Sequence, residues 1–265
     1  MAINRVLIPC LSQIRMRNSH IPNPRKPCSK LIMSIKFGYL NVHGLTTDKL
    51  QACASLLDSG LFDILLLSET WYVKTHDYMG HPYCIGETRP SEKKSNTRQG
   101  GGLLLMCKDA SFVRSFKPFK HSISVSLRGG PNILGVYFPP SLSMTDVEAE
   151  LEHARPYDSV IGDINIRFTG ISRSKAKSSC DRQSFWTRWS RENGFSMIPP
   201  NRKGIPVTQR QRDVFALSEA QISPPIVGKS YSLHSNYELD HVFCRDAPEV
   251  HLLDVNQFNI KTDHG

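Results

Sequence analysis

The chain has 265 residues, of which 39% are apolar and 22% are charged. These values are ordinary for a globular protein that buries a core, and the longest apolar runs, such as Ile64–Leu67, are too short to span a bilayer. The seven cysteines form no Cys-x-x-Cys pair, which favours buried, reduced thiols over a disulfide framework or a zinc site.

The basic charge is concentrated in two segments. Residues 1–47 hold seven Lys and Arg side chains and no acid, which leaves 26 basic against 24 acidic residues in the rest of the chain. Between Ile164 and Asp213, eleven basic residues stand against three acidic ones. Such a segment suits a polyanionic substrate such as nucleic acid. A solvated surface loop would have the same composition.

The first 33 residues predict a basic leader. They carry four prolines and no sustained periodicity, so we expect them to be disordered and the folded domain to span residues 34–265. Three interpretations of the leader stay open. The first is a mitochondrial transit peptide, the second is a tail that contacts nucleic acid, and the third is sequence upstream of a start at Met33.

From Ile35 onward the apolar pattern predicts strands at 35–42, 62–68, 102–107, 122–127, 133–137, 159–164, 239–244 and 250–255. Helices are predicted at 47–59, at 143–153 with Ser143 as the cap, and at 181–193 with Phe185 and Trp189 on one face. Residues 70–99 are polar and predict a loop. Since many strands follow each other directly, we predict an α/β (α+β) domain with much antiparallel sheet and helices covering it.

Polar side chains stand where several predicted strands end: Asn41, His43, Glu69, Tyr137, Asp163, Asn165, Asp240, Asp263 and His264. One acid after an apolar strand is more often a loop cap than a ligand. Together, these residues supply what phosphodiester hydrolysis needs. They offer carboxylate oxygens for Mg²⁺, a proton acceptor for the attacking water, and groups that hold the phosphoryl oxygens.

The ordered set Asn41, Glu69, Tyr137, Gly162-Asp163-x-Asn165, Asp240 and Asp263-His264 resembles the endonuclease/exonuclease/phosphatase superfamily, which includes deoxyribonuclease I and exonuclease III-like abasic-site endonucleases. The likeness covers residues 35–265. Ser-Glu69-Thr-Trp71 and the triple glycine Gly100-Gly101-Gly102 are similar to the endonuclease domains of non-LTR retrotransposons.

The resemblance implies a four-layer α/β/β/α sandwich of two mixed, largely antiparallel sheets with helices outside. It also implies a Mg²⁺-dependent DNA endonuclease of retrotransposon or abasic-site type. Such an enzyme would be intracellular, with the nucleus as the expected location and mitochondrial import as the alternative that the leader leaves open. No membrane association is expected.

The resemblance further implies a role for each site residue. Glu69 is the expected main Mg²⁺ ligand, with Mn²⁺ as a substitute cation, and Asn41 and Asp263 assist it. Asp163 is expected to orient or deprotonate the attacking water or to protonate the leaving group. Asn165 and Tyr137 would hold the phosphate, and His264 would contact it or act as a base while Asp240 fixes its tautomer. DNA contacts are expected in the loop after the Gly-Asp-x-Asn strand, from Arg167, Arg173, Lys175 and Lys177.

Three features depart from the family pattern. His43 stands where many of these nucleases carry an acid, and a neutral imidazole is a poor Mg²⁺ ligand. His241 stands where an aromatic residue is common. The sequence stops one residue after His264, whereas family members continue into a closing strand, so we expect a truncated domain in which His264 is held less firmly.

Two other functions stay open from the sequence. One is a phosphomonoesterase or another phosphoesterase of the same superfamily, although the sequence lacks the Trp-Cys-Asp-Arg run of inositol polyphosphate phosphatases and its basic segment favours a long polyanion. The other is a catalytically impaired remnant that binds nucleic acid without cutting it.

Overall fold

The structure is a computed structural model, and it describes residues 5–11, 35–71, 78–88, 101–166, 176–198, 240–245 and 249–254. The helices are α1 (Thr47–Asp58), α2 (Met144–His153) and α3 (Ala176–Glu192). The strands are β1 (Arg5–Leu11), β2 (Ile35–Asn41), β3 (Ile64–Ser68), β4 (Cys84–Thr88), β5 (Leu103–Cys107), β6 (Val113–Pro118), β7 (Ser122–Leu127), β8 (Asn132–Tyr137), β9 (Ser159–Asp163), β10 (Ser196–Met197), β11 (Asp240–Cys244) and β12 (Glu249–Asp254). Within these ranges no helix is long and apolar enough to cross a membrane.

The strands form two six-stranded sheets. Sheet A has the order β12-β1-β2-β3-β5-β4, and sheet B has the order β10-β11-β9-β8-β7-β6. Each sheet contains one parallel pair, β2 with β3 and β8 with β9, and its other pairs are antiparallel. A parallel pair needs a crossover connection, and α1 and α2 provide these two crossovers.

Three apolar layers hold the sheets and helices together. Helix α1 covers the outer face of sheet A, and α2 and α3 cover the outer face of sheet B. Between the sheets lies a third layer with side chains from both, among them Phe37, Ile64, Leu105, Ile123 and Ile161. This arrangement confirms the predicted α/β/β/α sandwich of two mixed, largely antiparallel sheets.

Most predicted helices and strands are confirmed to within a few residues, because the apolar residues in their sequences are the ones that the structure buries. Strand β2 alternates, with Phe37 and Tyr39 in the layer between the sheets and Leu40 in the layer under α1. Ser143 caps α2, and its hydroxyl accepts from the Asp146 backbone N–H at 3.1 Å.

The structure differs from the sequence prediction at four strands. Strands β4, β6 and β10 were not expected, since β4 lies in a polar segment and β6 is exposed over most of its length. Strand β1 lies in the segment predicted to be a disordered leader and pairs with both β2 and β12. The stretch Val6-Leu7-Ile8 has high strand propensity, whereas three of the four prolines come after residue 20.

Candidate active site

The predicted site residues on sheets A and B meet at one edge of the sandwich. In sheet A, Asn41 at the end of β2 lies opposite Ser68 at the end of β3. In sheet B, Tyr137 at the end of β8 lies opposite Asp163 at the end of β9, and Asp163 pairs in turn with Asp240 at the start of β11. The ends of the two parallel pairs therefore bring polar residues from distant parts of the sequence side by side.

The amide of Asn41 joins the two sheets. Its Nδ2 donates to Oε1 of Glu69 at 3.2 Å and lies 3.4 Å from Oδ2 of Asp163, a residue 122 positions further along the chain. Asn41 and Asp163 are both buried, with exposed fractions of 2% and 0%. One amide nitrogen thus holds two carboxylates, one from each side of the sandwich, at fixed positions.

Asp163 is held by further hydrogen bonds. Its Oδ1 accepts from the Asn165 backbone N–H at 2.8 Å, and its own backbone N–H donates to the Tyr39 hydroxyl at 3.0 Å. The Tyr39 hydroxyl donates to Oγ of Ser68 at 2.6 Å, which ties β9 to the end of β3 across the central layer. A buried carboxylate with donors on both oxygens has little rotational freedom, so Asp163 is suited to hold a water or a proton at a defined place.

Glu69 lies nearer the surface than Asp163 and faces an imidazole. Nδ1 of His43 is 3.5 Å from Oε2 of Glu69, and the two side chains are 31% and 13% exposed. The His43 ring meets Trp71 edge-on, with 4.2 Å between centroids, and its backbone N–H donates to Oδ1 of Asn41 at 3.1 Å. Glu69 is thus the one of the two carboxylates that a cation from solvent can reach.

Backbone strain is concentrated at this edge. In the described part of the chain, the non-glycine residues with positive φ are His43, Glu69, Trp71 and Asn165, with φ between 43° and 53°. Such conformations cost about 1–3 kcal/mol each and persist where the surrounding structure enforces them, often at functional sites. All four residues belong to the loops that follow β2, β3 and β9.

Two glycines permit the close packing of these loops. A Cβ on Gly162, which has a φ of 147°, would lie 2.0 Å from the backbone oxygen of Val136. A Cβ on Gly44 would lie 2.7 Å from the Trp71 ring. Gly162 therefore sets the approach of β9 to β8 directly before Asp163, and Gly44 makes room for the ring that packs on His43.

Asn165 and Tyr137 flank Asp163 on the sheet B side. Nδ2 of Asn165 donates to the Phe138 carbonyl at 3.0 Å, which holds the amide beside the carboxylate. Tyr137 is only 8% exposed and belongs to the layer between the sheets, and its ring lies 3.7 Å from the position that a Cβ on Gly101 would take. Tyr137 therefore lies buried at this edge of the sandwich, with the Gly101 backbone beside its ring.

The donor set for a divalent cation is compact. Among the residues that the structure describes, no group of three or more His, Cys, Asp or Glu side chains comes together. The available donors are the Glu69 carboxylate and the facing His43 Nδ1. Asn41 turns its amide nitrogen to Glu69 while its oxygen accepts from the His43 N–H, so it orients the carboxylate. The carboxylate oxygens of Glu69 fit Mg²⁺ or Mn²⁺.

The structure describes only part of the remaining predicted site residues. Asp240 lies in β11, and only its backbone is described. Lys177 was expected in a loop but lies in the first turn of α3, because this helix begins at Ala176, and its side chain is likewise not described. Outside the described residues lie Arg167, Arg173, Lys175, Asp263 and His264.

Sequence reasoning missed Tyr39 and Ser68, which join the sheets beneath the site. Their signal was positional. Tyr39 stands two residues before Asn41 on a strand, so the two share a face, and Ser68 is the polar residue that ends the apolar run of β3 directly before Glu69.

No family model matches the chain, and no curated protein matches it in sequence. Solved structures do show a likeness. The endonuclease domain of TRAS1, a telomere-specific non-LTR retrotransposon, is 11% identical, with 80% of this chain and 85% of that chain covered and a TM-score of 0.48. An AP endonuclease from Archaeoglobus fulgidus is 13% identical, with 80% and 86% covered and a TM-score of 0.49.

A further solved structure, an endonuclease/exonuclease/phosphatase family protein from Leptotrichia buccalis, is 14% identical, with 87% of this chain and 96% of that chain covered and a TM-score of 0.48.

Proposed function

We propose that this chain is a divalent-cation-dependent phosphodiester hydrolase that cuts the backbone of DNA as an endonuclease. The observation that carries the proposal is the Asn41 amide, which holds a buried and a partly exposed carboxylate on its two sides. Phosphodiester hydrolysis needs two such separate tasks, a cation beside the phosphate and a proton acceptor for the attacking water. Two carboxylates in different environments can divide these tasks between them.

In this proposal Glu69 holds the cation, Mg²⁺ or Mn²⁺ in its place, and Asn41 keeps the carboxylate turned towards it. When bound, the cation would neutralise charge on the phosphoryl oxygens. Asp163, fixed by Asn165 and Tyr39, orients the water and accepts its proton. The Asn165 amide leaves the Phe138 carbonyl and turns to hold the phosphate. Tyr137 lies beside the phosphate and supports it.

Three residues outside this described core complete the proposed site. Asp263 would assist the cation, and His264 would contact the phosphate with Asp240 setting its tautomer. Asp240 pairs with Asp163 across the ladder, and this position next to the strand end of Asp163 supports its inclusion in the proposed site.

DNA is the proposed substrate because the segment after Asn165 is strongly basic. Arg167, Arg173, Lys175 and Lys177 follow the site directly in the sequence, and neutralising backbone phosphates needs no base reading. Arg182 is different. It is buried and donates to the carbonyls of Pro139, Pro140 and Leu142, so it anchors α3 and is unavailable to DNA.

The proposal is tested by nicking of supercoiled plasmid with Mg²⁺ or Mn²⁺, and with EDTA in excess. The Glu69→Gln variant keeps the shape of the side chain and should lose about a hundredfold or more in rate, with an unchanged circular dichroism spectrum. The matched control is Glu148→Gln, since Glu148 is exposed on α2 and should leave the rate unchanged.

The outcomes separate the alternatives. Cleavage that persists in EDTA, or in Glu69→Gln at the rate of the unaltered chain, would contradict the proposed role of the cation. Phosphate release from inositol phosphates without nicking would indicate another phosphoesterase of this superfamily. Binding to DNA without turnover in any cation would indicate a remnant that has lost catalysis.

A further inference from the structure

The imidazole of His43 is held against Glu69 by three contacts. Its Nδ1 lies 3.5 Å from Oε2 of Glu69, its ring packs edge-on against Trp71, and its backbone N–H donates to Oδ1 of Asn41. The backbone of His43 is in the left-handed region, with a φ of 43°, and these contacts accompany that strained conformation. Such a placement directs one ring nitrogen to the carboxylate that the proposed function assigns to the cation.

The distance between the two donor atoms fits a shared cation. Nitrogen and oxygen ligands of small divalent transition metals lie about 2.1–2.2 Å from the ion, and two donors 3.5 Å apart would then subtend about 110° at it. Carboxylate oxygen suits both Mg²⁺ and Mn²⁺, whereas an imidazole nitrogen is a poor ligand for Mg²⁺ and suits transition-metal ions such as Fe²⁺, Ni²⁺ and Zn²⁺. A mixed nitrogen and oxygen pair therefore shifts the preference of the site away from Mg²⁺.

We propose that His43 and Glu69 bind one divalent cation together, and that the site for this reason selects a transition-metal ion, with Mn²⁺ as its probe, over Mg²⁺. The inference rests on the proposed function in one respect, which is that the bound cation is used in DNA cleavage. The binding itself is measurable without any substrate.

A different role for His43 gives the opposite result. If the imidazole, as imidazolium, occupied the place of the cation and neutralised Glu69, its removal would free the carboxylate and strengthen cation binding. If His43 is a ligand, its removal weakens Mn²⁺ binding and hardly changes Mg²⁺ binding. The direction of the change in Mn²⁺ affinity therefore decides between the two roles.

The experiment uses the full chain, freed of metal by EDTA and dialysis, with Mn²⁺ binding followed by the electron paramagnetic resonance signal of the free ion and Mg²⁺ binding by competition. The variants are His43→Asn and His43→Asp, because Asn and Asp tolerate the left-handed backbone best. The control is His153→Asn, at an exposed residue on α2. Circular dichroism establishes that each variant is folded.

We expect the unaltered chain and the control to bind Mn²⁺ at least about tenfold more tightly than Mg²⁺. We expect His43→Asn to lose about tenfold or more of its Mn²⁺ affinity, as replacing groups at metal sites commonly does, with less than about a twofold change for Mg²⁺. In His43→Asp, with a second carboxylate, the preference should move back towards Mg²⁺.

Equal or tighter Mn²⁺ binding in His43→Asn would overturn the inference. Plasmid nicking distinguishes this failure from a failure of the proposed function. A chain that binds Mn²⁺ as expected but nicks no DNA in either cation refutes the proposed function alone. A chain that nicks DNA while His43→Asn keeps its full Mn²⁺ affinity refutes the role of His43 alone.

Discussion

Replacing Tyr39 with Phe removes one oxygen atom from beneath the site and leaves the ring in place. That oxygen donates to Oγ of Ser68 at 2.6 Å and accepts from the Asp163 backbone N–H at 3.0 Å. Tyr39 and Ser68 are almost fully buried. The substitution therefore deletes the hydrogen-bonded link between the sheets while leaving the central apolar layer intact.

The cost can be worked out from these two contacts. The bond to Ser68 contributes about 1 kcal/mol, and a buried Asp163 N–H left without its partner costs about 1–3 kcal/mol. The free energy of unfolding should fall by about 2–4 kcal/mol, which for a chain of this size lowers Tm by about 4–16 °C. Since Asp163 also loses its anchor, cleavage should slow by about 10- to 100-fold.

Urea unfolding and plasmid nicking below the transition test the prediction, and Tyr83→Phe is the matched control. The Tyr83 hydroxyl donates to Oδ1 of Asp58 at 2.7 Å, so the control also loses a tyrosine hydrogen bond, but one on the far side of sheet A. Tyr83→Phe should lose stability and keep its rate. A Tyr39→Phe chain as stable and as fast as the unaltered protein would refute the reasoning.

Three further predictions concern separate parts of the chain. Gly162→Ala should lose at least about 3 kcal/mol of stability, since its Cβ would meet a backbone oxygen at 2.0 Å, and an unchanged Tm would contradict this. Burial raises the pKa of the Cys53 thiol to about 12, so iodoacetamide at pH 8 should alkylate it only after unfolding, as mass spectrometry of the peptides would show. Replacing Arg173, Lys175 and Lys177 with Ala should flatten the log–log salt dependence of DNA binding by roughly one unit per lost phosphate contact, whereas an unchanged slope would indicate that these three side chains are only solvated.

The core elements could be predicted because their sequences carry the burial pattern directly. Strand β3 is apolar up to Ser68 and is buried throughout, and α3 buries Phe185 and Trp189 as its spacing predicts. Edge strand β6 could not be predicted in this way, since five of its six residues are exposed and so it lacks a buried face to generate alternation.

The candidate site was predictable in its residues but not in its connections. Asn41, Glu69 and Asp163 follow apolar strands, and a sequence pattern can show that. The bridge through Tyr39 depends on how far apart two sheets pack, and the facing of His43 and Glu69 depends on two loops in left-handed conformations. Both are tertiary properties that leave little trace in local sequence.

Not every basic residue of the segment between Ile164 and Asp213 is exposed to solvent. Arg182 belongs to the basic segment by sequence, yet its guanidinium is buried and binds three backbone carbonyls. Burial lowers the pKa of this side chain, as expected for a cation withdrawn from water. A count of basic residues therefore overstates the charge that this segment can offer to DNA.

The pairing of β1 with β12 has a consequence for synthesis and folding. These strands pair Arg5 with Asp254 and Cys10 with Glu249, so sheet A receives its outer pair of strands only after β12 has left the ribosome. Contacts this far apart in the sequence close slowly, because the loop entropy is lost before the contacts form. While β1 waits for its partner, the nascent chain exposes an unpaired strand edge to which another copy can add.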